Sequence, residues 1–549
     1  LSYIFLLWLR LSSVILFAAF GSLYNVRMNV GAARRTGSIC ETDEFLDVAC
    51  PMEYNYIILN YRRLYRKMER ASNVFRKIML GILLIIMSAA LLLTAVNGLA
   101  QHSYLIALLA GAVWAFILYR LCMRGKLRAL TSADAGKTAL LLTLLCAAVN
   151  LAWVLTVRIE PFSDYATYWQ TACALAFGGE IDAPWYIAMY PHILGCSTFL
   201  SAFLKIFGEH VMVAAVINVI LTCLSGLLIY GICLRLSSPL TAALAYLLWI
   251  VCPSKLMLNS LVFSEPLYTC LILLFFYLIV LIEQKRESLS RRIGVCLLWG
   301  LALGVLLCSV NIVRPISAIL IIALVLWLLF LRGRDIKNGA QWKMWLVILA
   351  ALLGIYKATG ELWDRHVENV LGMEPASFPV YNIYVGFNEE TQGQWSADDM
   401  DLLFSYLSRP GATTSEAQEE MLPHLKERLS SGIDFGRLFA SKLIAFMGND
   451  ELGGYTYRFT RTELFVKLCM VICNVFYYGC MLLAIRGIFV LRRRSRLSAC
   501  LLPPLYMLGL TLAHMLVEVS SRYHYSIIPV IIILAAFALG GSETLRRSV

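Results

Sequence analysis

Four charged residues in this chain sit at the edges of long apolar runs: Asp164 in "RIEPFSDYATYW", Glu265 in "LNSLVFSEPLYT", Arg314 in "NIVRPIS" and Arg522 in "EVSSRYHYS". An arginine presents a planar fork of donors that matches phosphate, and it keeps its charge at a membrane surface. A carboxylate close to such a cation can take a proton from an incoming hydroxyl. Tyr165, Tyr168 and Tyr523 stand in the same stretches, His524 follows, and Tyr190 and His192 open the nearby "YPHILGCSTFLSAFLKIFG". Together these are the parts of a site for an anionic headgroup and a hydroxyl. Each also has a plainer reading. Asp164 is a favoured N-cap for a helix beginning at Tyr165. Glu265, just before Pro266, complements a helix dipole. The arginines can serve as interfacial anchors.

The elements that must position these residues are membrane spans. The 549-residue chain is 60% hydrophobic and 15% charged, far more apolar than a soluble domain. Runs of about 20 apolar residues fall at 78–100, 104–121, 138–157, 211–233, 237–253, 267–282, 293–309, 316–331, 345–358, 464–484, 499–517 and 527–539. The expectation is an all-α polytopic membrane protein of about twelve spans. The net charge of +12 comes from short basic clusters between these runs, which encode topology and do not point to nucleic acid. The 16 cysteines follow no metal-ligand spacing, and most lie inside apolar runs as small buried hydrophobes. Residues 1–77 form an N-terminal segment in which "RRTGSICETDEFLDVACPMEY" fits neither a loop nor a domain, and Met52 and Met68 are alternative starts to Leu1.

Basic clusters occur around Arg62 to Lys77, at Arg120 to Arg128, Lys285 to Arg292, Arg332 to Lys343, Arg486 to Arg496, and Arg546 with Arg547. All fall on one side if every run crosses, which makes that side cytoplasmic, with both termini there. The other side carries the first outer loop, 158–209, and a segment of about a hundred residues, 361–463, too long for an idle connection. Within the loop, "YATYWQTACALAFGG" and "YPHILGCSTFLSAFLKIFG" are amphipathic and expected to lie in the interface. Residues 361–463 hold helical pieces and can form a small extracytoplasmic domain. There "GFNEETQGQW", with Trp395, reads either as a sugar contact or as a turn packed on that domain.

Over residues 138–539 the chain resembles the GT-C glycosyltransferases that use polyprenyl-phosphate sugars, the protein mannosyltransferases and lipid A aminoarabinose transferases. The resemblance rests on "PFSDYATY", the proline-led segment ending in Phe-Gly, "SEPLY", "VRP", "GFNEETQGQWSADDMDLL" and "SRYHYSIIPVIIILAA", in this order and on one side. The two spans in 78–137 depart from the family's usual start, where the catalytic loop follows the first span.

The resemblance implies a GT-C-like catalytic module over 138–360, with C-terminal spans over 464–549. It implies Asp164 as catalytic base, with Glu265 as the second acidic residue, here Glu where Asp is common. Arg314, Arg522 and Tyr523 would bind the donor phosphate. Tyr165, Tyr168, Tyr190, His192, His524 and Trp395 are the further substrate candidates. The implied activity is inverting sugar transfer from a polyprenyl-phosphate carrier to an extracytoplasmic acceptor, at the plasma membrane. No cofactor is required; a divalent metal is conceivable only if Asp164, Glu265 and His192 converge. A lipid-linked polysaccharide polymerase or ligase would instead use the large outer segment's His366, His424, Arg409, Arg428 and Arg437. A transporter or lipid flippase predicts inverted repeats and broken helices with mid-membrane charges.

Overall fold

The computed structural model describes residues 52–98, 102–126, 134–332, 339–376, 379–493 and 498–540. Residues 1–51 lie outside the described residues, as do Arg128, Arg334, Lys337, Arg494, Arg496, Arg546 and Arg547 of the basic clusters.

Among the described residues the chain is helical without strands, and ten helices are long and apolar enough to cross a membrane. Three open the bundle: α1 (Met52–Gly98), α2 (His102–Met123) and α3 (Ala135–Thr156). The first outer loop follows as α4 (Asp164–Phe177), α5 (Pro184–Met189) and α6 (His192–Phe207). Next come α7 (Val211–Leu236), α8 (Pro239–Ile250), α9 (Pro253–Leu258), α10 (Glu265–Gln284), α11 (Ile293–Val313), α12 (Ser317–Leu326) and α13 (Gly339–Leu371). Four helices form the outer segment: α14 (Val380–Gly386), α15 (Ala397–Leu407), α16 (Thr414–Ser430) and α17 (Phe435–Leu443). The chain ends with α18 (Leu452–Tyr455), α19 (Glu463–Arg493), α20 (Leu502–Leu516) and α21 (Ile528–Gly540).

The bundle centre is apolar all round. Every residue of α21 is buried, and α10 is buried from Glu265 to Tyr268 and through Leu278–Ile282. On the periphery Leu109, Phe116, Leu140, Leu141 and Leu144 of α2 and α3 point outward and exposed. A face of that composition is stable only against hydrocarbon.

Two of the twelve expected spans are shorter helices, α8 and the apolar stretch Ser317–Leu331 that contains α12. Proline supplies the reason at α8. Pro253 cannot continue the helix before it, so the chain breaks at Val251 and Cys252 and restarts with Pro253 in the first turn of α9. The leg from α8 through α9 still retraces α7. Tyr246 Oη donates to Cys223 O at 3.2 Å, Trp249 Nε1 to Thr222 O at 2.9 Å, and Asn218 Nδ2 to Leu261 O at 2.7 Å. Rising numbers on one side meet falling numbers on the other, so the two legs are antiparallel.

Helices α11 and α13 run parallel. A Cβ at Gly300 would come within 2.5 Å of Ile348 O, and one at Gly304 within 2.5 Å of Leu352 O. Small residues four apart permit this backbone approach inside a membrane bundle. Helix α13 also continues past the expected end of its apolar run, to Leu371. No proline or glycine interrupts residues 361–371, and Gly372 ends the helix at φ +68°.

The two amphipathic stretches of the first outer loop are α4 and α6, and they pack on each other, with Ser197 Oγ donating to Tyr168 O at 2.9 Å. The outer segment has its own small core of Tyr381, Leu403, Ala417 and Met421, which also takes Met189 of α5. Arg428 braces it with a two-point ion pair to Asp399, at 2.8 and 3.0 Å. Thr413 and Glu416 close a capping box at the start of α16.

Candidate functional site

Asp164 is not an N-cap. It is the first helical residue of α4, and the cap position belongs to Ser163, whose side chain makes no capping bond. Ser163 has φ 49° and ψ −136°, and Tyr165 N donates to Phe162 O across it at 3.1 Å. That is the first central position of a type II′ turn, which favours glycine. A serine there is strained, at a cost of order 1–3 kcal/mol. The turn aims Asp164 away from its own helix, and its Oδ2 accepts from Arg522 Nη2 at 2.6 Å. The pair is partly open, with side chains 36% and 23% exposed for Asp164 and Arg522.

Arg314 follows α11 directly in an extended conformation, and Pro315 prevents the helix from continuing. Its guanidinium stacks on the Tyr523 ring, 4.5 Å from the centroid, and the Arg522 guanidinium lies 5.5 Å from the same centroid. The Tyr523 hydroxyl donates to Glu518 Oε1 at 3.1 Å. One aromatic ring thus carries two cations and is tied to a carboxylate.

The turn that supplies Glu518, Arg522 and Tyr523 is held by the outer segment. Glu518 N donates to Asn382 O at 2.8 Å and Val519 N to Gly393 O at 2.9 Å. Fully buried Lys442 on α17 donates to Gly386 O at 2.7 Å and to Val517 O at 2.8 Å. Burial lowers the Lys442 ammonium to about 8, against the pull of Glu518. Gly386 is needed at this joint, because a Cβ would meet Val517 C at 2.6 Å.

Burial and charge act together on the surrounding groups. Burial raises the Glu518 carboxyl, while the Tyr523 hydroxyl, Arg522 and Arg314 pull it down and Asp164 pushes it up. Burial raises the Tyr186 hydroxyl, and the Asp164 charge adds to the effect. His192 is held well below the ordinary histidine range by burial, then by the Arg314 and Arg522 charges, so it is a neutral ring in this cluster. Tyr168, raised by burial, feels both Arg314 and Glu265.

The structure therefore brings Asp164, Arg314, Arg522 and Tyr523 together, with Tyr168, Tyr190 and His192 around them. Tyr165 lies beneath, buried against Phe162 and Phe263. Glu265 is buried at the start of α10, with Ser264 Oγ 3.5 Å from its Oε2. Two residues lie apart. His524 turns inward, with Nδ1 2.8 Å from Phe446 O and Nε2 3.2 Å from Asp450 Oδ1. Trp395 is exposed, two residues past the Gly393 joint, and its stretch folds as a turn on Asn388, whose Oδ1 accepts from Glu390 N and Thr391 N.

Glu518, Tyr186 and Lys442 were not singled out from the sequence. Glu518 had a usable signal, a carboxylate four residues before Arg522 in the same short turn. Among the described residues no three His, Cys, Asp or Glu side chains form a metal-holding group, so Asp164, Glu265 and His192 do not converge as one. Two cavities lie elsewhere: about 580 Å³ between Gly179, Pro184 and Val370, and about 430 Å³ between Ile293 and Lys343. No protein-family model matches the chain, and no curated protein matches it.

Proposed function

We propose that the protein is an integral-membrane inverting glycosyltransferase of GT-C type, moving a sugar from a polyprenyl-phosphate carrier to an extracytoplasmic acceptor. The observation that carries this reading is the meeting of Asp164, Arg314, Arg522 and Tyr523. They come from three turns far apart in sequence. In the reaction the acceptor hydroxyl oxygen attacks the sugar C1 from the face opposite the phosphate. The C1–O bond to phosphate breaks, its electron pair stays on the phosphate, and the hydroxyl proton passes to Asp164. Arg314 and Arg522 stabilise the charge that develops on the leaving phosphate. Glu265 orients neighbouring groups from its buried position.

The topology of the proposal has twelve crossings, with the site on the outer side and both termini in the cytoplasm of a plasma-membrane protein. Support comes from the register of the legs. The antiparallel retracing of α7 supports counting α8 with α9 as a crossing, and the parallel run of α11 and α13 supports a return through Ser317–Leu331 between them. With both counted, all the site turns share one end. Two of the outer-segment residues that a polymerase would use are occupied otherwise: Arg428 binds Asp399, and His424 Nε2 lies 2.7 Å from Tyr406 Oη.

The test is Asp164→Asn, which keeps size and polarity and removes the proton acceptor. Loss of a general base costs about 10²–10⁴-fold in rate, so transfer should nearly stop while the protein still melts cooperatively. Glu265→Gln should be milder. A stable Asp164→Asn protein that transfers sugar at near wild-type rate would refute the assignment.

A further inference from the structure

The two arginines of the cluster are not equivalent. The Arg314 guanidinium stacks on Tyr523 and has no hydrogen bond or ion pair among the described residues. Arg522 is already engaged: it donates to Asp164 at 2.6 Å, lies 5.5 Å from the Tyr523 ring centre, and interacts with the Tyr165 and Tyr523 hydroxyls. Its Nε is buried and has no hydrogen-bond partner. A guanidinium offers five N–H donors in a fixed fork, and a buried donor left unmade is costly. The fork of Arg522 is therefore only partly used, in a place where a second acceptor would gain.

A phosphate monoester supplies what Asp164 does not. It carries up to two charges and three terminal oxygens, and it can take parallel N–H donors from one arginine while contacting the other. Asp164 is a competitor for the same fork, and a partly exposed one-point ion pair is weak. While Asp164 Oδ2 accepts from Arg522, an incoming hydroxyl must compete with the guanidinium for that oxygen.

We infer that the Asp164–Arg522 pair is an exchange contact: a lipid monophosphate takes Arg522 from Asp164, and that loss frees the Asp164 carboxylate to act as base. The inference rests on the donor-phosphate reading of the site proposed above. Arg314, with no competing partner, receives the phosphate first; Arg522 changes partner second. The base is then released from its cation only when the leaving group is bound. No bond to carbon is made or broken in this step, and no proton moves.

The experiment measures binding of geranylgeranyl phosphate to the full chain in detergent, with geranylgeraniol and inorganic phosphate as separate arms. Removing the competitor should tighten binding, so Asp164→Asn should bind geranylgeranyl phosphate about fivefold better than wild type, the worth of one partly exposed ion pair. The gain should vanish in an Arg522→Gln background and persist in Arg314→Gln. Asp164→Ala carries the same expectation, so a poorly folded Asn variant does not decide the matter. Equal or weaker binding by both Asp164 variants, with wild-type binding measurable, overturns the exchange and leaves the donor site standing. A gain that survives Arg522→Gln also overturns it. A gain seen with inorganic phosphate and not with the lipid overturns the lipid assignment. Failure of wild type and variants alike to bind geranylgeranyl phosphate overturns the donor-site reading itself.

Discussion

The Arg314 guanidinium lies 4.5 Å from the centre of the Tyr523 ring, and that ring's hydroxyl is bonded to Glu518. A cation over a ring face is worth about 0.5–2 kcal/mol depending on desolvation, and the hydroxyl contact fixes the ring's rotation. The proposed anion site is thus organised around an aromatic platform supplied by the turn before α21, and α11 delivers Arg314 onto it.

Arg314→Ala should weaken binding of an isoprenyl monophosphate about tenfold to a hundredfold, the range for a hydrogen bond to a charged group. Arg314→Lys should restore part of it, since lysine keeps the charge and loses the planar fork. Titration with geranylgeranyl phosphate measures both. Unchanged affinity in the alanine variant would leave Arg314 as an anchor.

The Glu518 carboxyl is raised above its ordinary value of 4.5 by burial. The folded protein therefore holds a proton that the unfolded chain releases. Its contribution to stability is fully present below the ordinary value and is lost as pH rises through the folded one. Glu518→Gln should flatten that part of the curve. Melting temperatures of both proteins across a pH series, starting near 4.5, give the comparison. Parallel curves would contradict the burial argument.

Lys255 tests the cost of an unmatched buried amine. It is fully buried on α9, its Nζ has no hydrogen-bond partner, and its nearest aromatic is Trp249 at 5.2 Å. Lys255→Met should be neutral or stabilising, by about 1–4 kcal/mol. A lower melting temperature for the methionine variant would show that the amine has a partner.

Sidedness follows from a labelling experiment. Trp395 is exposed beside the joint that holds the site turn, whereas the described cysteines are buried or partly buried. Trp395→Cys should react with a membrane-impermeant maleimide in intact cells, over a low native background. Reaction only after permeabilisation would reverse the topology and remove the extracytoplasmic site.

Much of this architecture can be read in one dimension. Length and hydropathy of apolar runs are local properties, so among the described residues ten membrane-length helices and two shorter ones lie where those runs lie. Charge at run ends is local too, which is why Asp164, Arg314 and Arg522 stood out: a charge beside hydrocarbon is costly and needs a reason. What each charge touches is not local. The partner of Asp164 depends on a strained turn at Ser163 and on a turn in the last outer connection. Whether His524 joined the cluster depended on the rotation of its short turn, which sends Arg522 and Tyr523 to the site and His524 to Asp450. Glu518 and Lys442 gained their roles only when the outer segment closed onto that turn, through backbone groups whose partners leave no mark on side-chain type. Hydrophobic burial is non-directional and accumulates along the chain, whereas hydrogen bonds and ion pairs are short-ranged and geometric. The first property makes the spans legible in the sequence; the second leaves the pairing of the site to the packed bundle.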